Sequence, residues 1–140
     1  MHIDRSLAAA LGAETVEILA SGKYAAANGQ KVGIADDVRR AVIGTQTYPP
    51  EKKIPPYSIS HKAGNECETL IRVVNQTTLT AAREMFDAGV YPLALNFASA
   101  KNPGGGFLGG ARAQEESLAR SSALVSCLRG NPMYQHRLAL

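Results

Sequence analysis

LNFASAKNPGGGFLGGARAQEES, from Leu95 to Ser117, is the stretch that decides the fold class. It leaves a short, mostly apolar run, Tyr91–Ala98, which has the length and character of a buried strand. It crosses a loop holding five glycines and enters a helix predicted from about Ala113 to Leu128. Leu118, Leu124, Val125 and Leu128 are spaced compatibly with a packed helical face. Upstream, Thr69–Asn75 is predicted as a strand. Thr77 or Thr78 then caps a helix through Asp87, closed by Gly89. Strand, helix, strand, helix in succession predicts an α/β layered domain with at least one parallel pair.

Further toward the N-terminus, Asp4 or Ser6 is positioned to cap a helix. Leu7, Leu11, Val16, Ile18 and Leu19 support it through about Ser21, with Gly22 as its stop. Asn28-Gly29 between two short runs predicts a hairpin with a type I′ turn, which needs positive φ at both central residues. Asp36–Ile43 is predicted as a short helix ending at Gly44. Two Pro-Pro pairs within residues 45–66 forbid a helix there. Arg129-Gly130-Asn131-Pro132 ends the last helix.

A chain of 140 residues, 45% hydrophobic and 19% charged, suits one folded domain and not a disordered segment. The net charge of +3 is unevenly placed. Residues 1–87 hold ten bases and ten acids, whereas residues 88–140 hold five bases and two acids. A basic bias there favours an anionic ligand, although solvated surface charge accounts for it equally well. The absence of a Lys/Arg run argues against DNA as a partner. The N-terminus carries acids and no long apolar region, so no secretion signal is expected. Ala88–Ala100 is too short to span a bilayer, and no membrane association is expected. Cys67 and Cys127 form no CxxC or metal-spaced cluster, which suggests a reducing compartment and a cytoplasmic protein. Cys127 is expected in the core. His2, His61 and His136 are scattered, so no metal site and no cofactor is expected.

Gly104, Gly105 and Gly106 let the backbone approach a ligand and are expected to leave N–H groups free to face an anion. The helix that follows adds its positive end. Gly104, Gly106 and Gly109 also match G-x-G-x-x-G. That dinucleotide fingerprint wants an acid about twenty residues on, and Glu116 is the last acid in the chain. No Gly-Lys-Ser/Thr is present for a P-loop. Glu115 and Glu116 at a helix start serve at least the dipole, worth roughly 0.3–1 kcal/mol. Adjacent helical residues point about 100° apart, so the pair cannot face one bond as a glycosidase pair does. In a glycosyl hydrolase, one carboxylate would do the proton work.

Gly104-Gly105-Gly106, seven intervening residues, then Gln114-Glu115-Glu116 resembles the signature of the poly(ADP-ribose) glycohydrolases. The wider run NFASAKNPGGGFLGGARAQEESLARSS is similar to their bacterial branch, and the resemblance covers residues 6–140. It implies a macrodomain-like, three-layer α/β/α fold with a mixed sheet, and ADP-ribose held in a cleft at the strand ends. Within one domain over residues 1–140, residues 6–90 would supply the helices, hairpin and first α/β elements. Residues 91–128 would supply strand, Gly-rich loop and catalytic helix. Glu116 would be the catalytic acid/base and Glu115 would hold ribose hydroxyls. Gln114 would support the loop, Gly104, Gly105 and Gly106 would pack against ribose and diphosphate, and Asn102 would meet a ribose hydroxyl. The substrates implied are poly(ADP-ribose) and ADP-ribosylated proteins.

Members of that family are longer. A second Gly-rich loop over the diphosphate and an aromatic that stacks on adenine lie further along their chains, and neither follows Arg129 here. The chain is therefore expected to carry the chemical residues in a fold incomplete at the C-terminus. Two other functions stay open at this point: an ADP-ribose-binding macrodomain module without turnover, and an inactive fragment that needs a partner chain.

Overall fold

The computed structural model describes residues 3–49, 51–53 and 69–134. Its elements in chain order are helix α1 (Arg5–Ser21), strands β1 (Lys23–Ala25) and β2 (Lys31–Gly33), helix α2 (Ala35–Gly44) and helix α3 (Thr78–Asp87). A one-turn 3-10 helix at Phe107–Gly109 follows, then helices α4 (Gln114–Ser121) and α5 (Leu124–Leu128), and a second 3-10 turn at Pro132–Tyr134. Cys67, the three histidines and the remainder of the Pro-rich excursion lie outside the described residues.

Helix α1 begins and ends where its caps dictate. The Asp4 carboxylate accepts from Leu7 N–H at 2.8 Å, and the Gly22 N–H donates to Ile18 O. Its packing face differs from the predicted one. Leu7 and Leu11 remain 45% and 37% exposed, while Ala8 and Gly12 are the buried residues. The cause is a close approach: a Cβ on Gly12 would sit 2.9 Å from Phe107 O and 3.2 Å from its ring. Small residues four apart let the backbone of α1 reach the Phe107 turn, which larger side chains would prevent. Ala8, Phe107, Leu118 and Ala119 form the buried apolar core among the described residues. Polar contacts lock the same interface. Thr15 hydroxyl donates to Arg120 O at 2.7 Å, Arg5 to Gly109 O at 2.9 Å and Arg112 to Ile3 O at 2.7 Å.

The hairpin forms with Tyr24 paired to Val32, but its turn is not type I′. Only Gly29 has positive φ (80°), so Asn28 does not take the left-handed conformation. Gly29 N–H donates to Ala26 O and Ala26 N–H to Gln30 O, which makes a three-residue loop. The Asn28 carboxamide accepts from Gln30 N–H at 3.0 Å and holds the turn from the side.

Two further expectations are corrected. Thr69–Asn75 and Tyr91–Ala98 carry no strand ladder, and the hairpin is the only sheet among the described residues, so the expected parallel pair is absent there. Ladders need a neighbouring strand, and among the described residues none pairs with either segment, where Val73 is 97% and Leu93 100% exposed. The single helix predicted over 113–128 is broken at Ser122, whose φ of −155° is extended. The Ser122 hydroxyl donates to Leu118 O at 2.8 Å and accepts from Leu124 N–H at 3.2 Å. It takes over backbone groups that a continuous helix would have paired. Helix α3 agrees with its prediction, with Thr77 capping through Thr80 N–H.

Candidate active site

The Gly-rich loop and the first turn of α4 are joined by two carboxylates. Glu115 is 3% exposed, the one buried charged side chain among the described residues. Its Oε2 accepts from Ser99 N–H at 2.6 Å and its Oε1 from Gly104 N–H at 3.2 Å. Glu116, one residue further round the helix, accepts from Gly106 N–H at 3.0 Å through Oε1. Its other oxygen, Oε2, is buried with no hydrogen-bond partner. Although adjacent helical residues point about 100° apart, the two carboxylates converge on the Gly104–Gly106 loop, one on either side of Gly105. Both also lie in the first turn of α4, at the positive end of the helix.

The glycine triplet does not leave its amides free. Gly104 and Gly106 donate to the two glutamates, and Gly105 N–H donates to Asn102 O at 2.9 Å. The anions that occupy the expected nest are the protein's own side chains. Gly105 is required on steric grounds as well. It sits at φ +60°, and a Cβ there would overlap Glu116 Oε1 and lie 3.2 Å from Glu115 Oε2. Only a residue without a Cβ lets both carboxylates close on the loop.

Gln114 completes this frame. Its Oε1 accepts from Phe97 N–H at 2.9 Å, and its Nε2 donates to Leu95 O at 2.7 Å. Leu95, Phe97 and Ser99 are two residues apart, the interval at which an extended chain turns its backbone groups to one edge. Side chains of Gln114 and Glu115 thus supply partners that a neighbouring strand would otherwise supply. Of the residues singled out from the sequence, Gly104, Gly105, Gly106, Gln114, Glu115 and Glu116 form one hydrogen-bonded or contacting group. Asn102 joins it through its backbone carbonyl, its side chain being exposed.

Three further features were not legible from the sequence. Ser99 contributes a backbone amide, which no residue type announces. Asn96 Oδ1 is buried without a partner, within the segment that Gln114 pins. Tyr134 hydroxyl is likewise buried and unpartnered; burial pushes its phenol above the usual value of 10, and the Glu115 charge adds to that. From the sequence, Asn131-Pro132 was a signal only for the end of the last helix. Among the described residues no group of three or more His, Cys, Asp or Glu could hold a metal ion, and no helix is long and apolar enough to cross a membrane. A cavity of about 550 Å3 between α1, α2 and the α4–α5 junction is lined by residues such as Ile18, Val38 and Ser122, and not by the glutamates.

A sequence model described as the microbial-type PARG catalytic domain matches residues 12–139. The crystal structure of poly(ADP-ribose) glycohydrolase (PARG) from Thermomonospora curvata superposes with a TM-score of 0.78 at 44% identity, over 96% of this chain and 50% of that one. The same enzyme bound to the inhibitor ADP-HPD superposes with a TM-score of 0.76 at 45% identity, over 96% of this chain and 48% of that one. The chain spans about half the length of the structures it matches. No curated protein matches it.

Proposed function

We propose a poly(ADP-ribose) glycohydrolase activity for this chain, which belongs to the microbial-type PARG catalytic-domain family. The reaction is hydrolysis of the ribose–ribose O-glycosidic bond, with release of ADP-ribose. Polymer and ADP-ribosylated proteins are its substrates, the cytoplasm its compartment, and no cofactor takes part. Around the α/β elements described here, the fold is macrodomain-like, with a mixed sheet in three layers.

Glu116 is the acid/base in this reading. The observation that carries it is the asymmetry of its carboxylate: one oxygen fixed by Gly106, the other sheltered from water and without a donor. A ribose alkoxide is a poor leaving group, so the bond breaks as Glu116 delivers a proton to the bridging oxygen. The oxocarbenium-like centre left behind gains from the nearby diphosphate charge. The ionised Glu116 then takes a proton from the attacking water and is restored. General acid–base help of this kind contributes roughly 10²–10⁴-fold. Glu115, already bonded twice to the backbone, orients ribose hydroxyls. Gln114 holds the segment 95–99 in place, and Asn102 meets a ribose hydroxyl. Gly104–Gly106 pack against ribose and diphosphate through their surfaces, their amides being occupied. The inhibitor complex of the Thermomonospora enzyme supports an ADP-ribose-like ligand for the family.

The test is release of ADP-ribose from poly(ADP-ribose) by this chain beside its Glu116→Gln variant. Release by the unsubstituted chain with a loss of at least about 10²-fold in the variant supports the reading. Binding of ADP-ribose with no release would assign an ADP-ribose-binding module instead. Equal release by both chains would remove Glu116 from the chemistry.

A further inference from the structure

Glu116 depends on one backbone amide. Gly106 N–H donates to its Oε1 at 3.0 Å, and its Oε2 has no partner. Glu115, by contrast, is held by two amides, those of Ser99 and Gly104. The direction of the Glu116 carboxylate therefore follows the placement of Gly106. That residue opens an arc, 106–111, in which Gly106, Gly109 and Gly110 are half of the residues. Glycines impose few restraints of their own, so the arc takes its shape from its contacts.

Those contacts form a short chain of hydrogen bonds. Gly106 O accepts from Gly109 N–H at 3.0 Å and from Ala111 N–H at 3.2 Å, which folds the arc back on its first residue. Arg5, from α1, donates to Gly109 O at 2.9 Å. At the far end, Ala111 O accepts from Arg120 Nη1 at 2.6 Å, a short, part-buried bond from a charged donor. Arg120 follows Glu116 by four residues on α4, and residues four apart share one face of a helix. One helix thus grips both ends of the arc, Gly106 through Glu116 and Ala111 through Arg120. The Arg120 backbone is itself fixed, since its carbonyl accepts from the Thr15 hydroxyl at 2.7 Å. Among the described residues no carboxylate pairs with Arg120, and Ala111 O is the partner of its guanidinium.

We propose that Arg120 is a positioning residue for Glu116: by holding the Ala111 carbonyl to α4 it fixes Gly106, and Gly106 aims the carboxylate. Without that bond the end of the arc is tied to α4 only through the chain, and Gly106 shifts with it. A proton donor misplaced by a fraction of an ångström loses rate while the ligand still binds. The inference rests on the glycohydrolase reading for its kinetic consequence, but not for the relay from Arg120 through Ala111 and Gly106 to Glu116.

The experiment compares three variants of the same chain. Arg120→Met keeps the length of the side chain and removes its donors; Arg120→Lys keeps one charged donor; Thr15→Val loosens α4 from α1 without touching the arc. In Arg120→Met the amides of Gly106 and Ala111 are expected to exchange with solvent roughly tenfold faster, while that of Gly104, bonded to Glu115, is unchanged. Its kcat on poly(ADP-ribose) is expected to fall roughly tenfold with KM little altered, and Arg120→Lys to recover part of both losses. Thr15→Val is expected to lower the melting temperature and leave kcat as it was. Exchange that rises equally at Gly104, Gly106 and Ala111, or at none of them, would make Arg120 an ordinary structural contact and overturn the proposal. So would an Arg120→Met chain with the kcat of an active unsubstituted chain. An unsubstituted chain without turnover, in which Arg120→Met still exposes Gly106 and Ala111 selectively, would count against the glycohydrolase reading and leave the relay supported.

Discussion

Residues 99–121 and residues 69–98 make opposite use of the same chain. In the first region a polar frame is buried: Glu115 is enclosed, Glu116 is half-buried, and their carboxylates are matched to named backbone amides. In the second, large apolar side chains are left in solvent, with Ile71 at 83%, Tyr91 at 91% and Leu93 at 100% exposure. The contrast shows that apolar character alone does not create a core. Phe107 is buried because Ala8 and Gly12 are small enough to let a helix come down on it. Leu93 has no such surface facing it.

The comparison can be broken most severely at Glu115. Substitution by Ala strands two amides, those of Ser99 and Gly104, in a buried setting. Each unpaired group costs about 1–3 kcal/mol, so a loss of about 2–6 kcal/mol is expected in a denaturant titration. A loss under about 1 kcal/mol would mean that water reaches those amides freely and the frame is not a buried one.

A smaller but more selective effect is expected at Gly105. The Ala variant must adopt φ +60° and press its Cβ into Glu116, at a cost of about 1–3 kcal/mol. Because Glu116 is displaced, turnover should fall further than stability does. An Ala variant with full turnover and normal stability would show that the two glutamates need not close on the loop together.

The smallest effect tests the other region. Leu93→Ser alters a fully exposed side chain and is expected to shift stability by no more than about 0.5 kcal/mol. A loss above about 1 kcal/mol would show that residues 91–98 are covered in solution.

How much of this was legible in the sequence follows the range of the forces involved. Asp4, Gly22 and Thr77 act within one turn of their helices; Gly22 was readable from its neighbours, and Asp4 and Thr77 each as one of two cap residues. The hairpin was readable as a pairing, while its turn was not, because Asn28 bonds to Gln30 and remains at negative φ. The break at Ser122 was not readable because an apolar spacing continues across it. The two predicted strands were inferred from composition, yet a ladder is a property of two segments and cannot be read from one. At the site, the glycine triplet and the glutamates were legible because their spacing is a motif. Ser99 was not, since it is brought there by the path of the chain.

The two amide–carboxylate pairs also act as a ruler. Gly104 lies eleven residues before Glu115, and Gly106 ten before Glu116, with the connecting arc bent through Phe107–Gly109. Adding or removing one residue in that arc would rotate the helix start by about 100° relative to the loop and uncouple both pairs together. Substitutions along 107–113 can therefore be judged one at a time, whereas any change in the length of the arc is a single event with two losses.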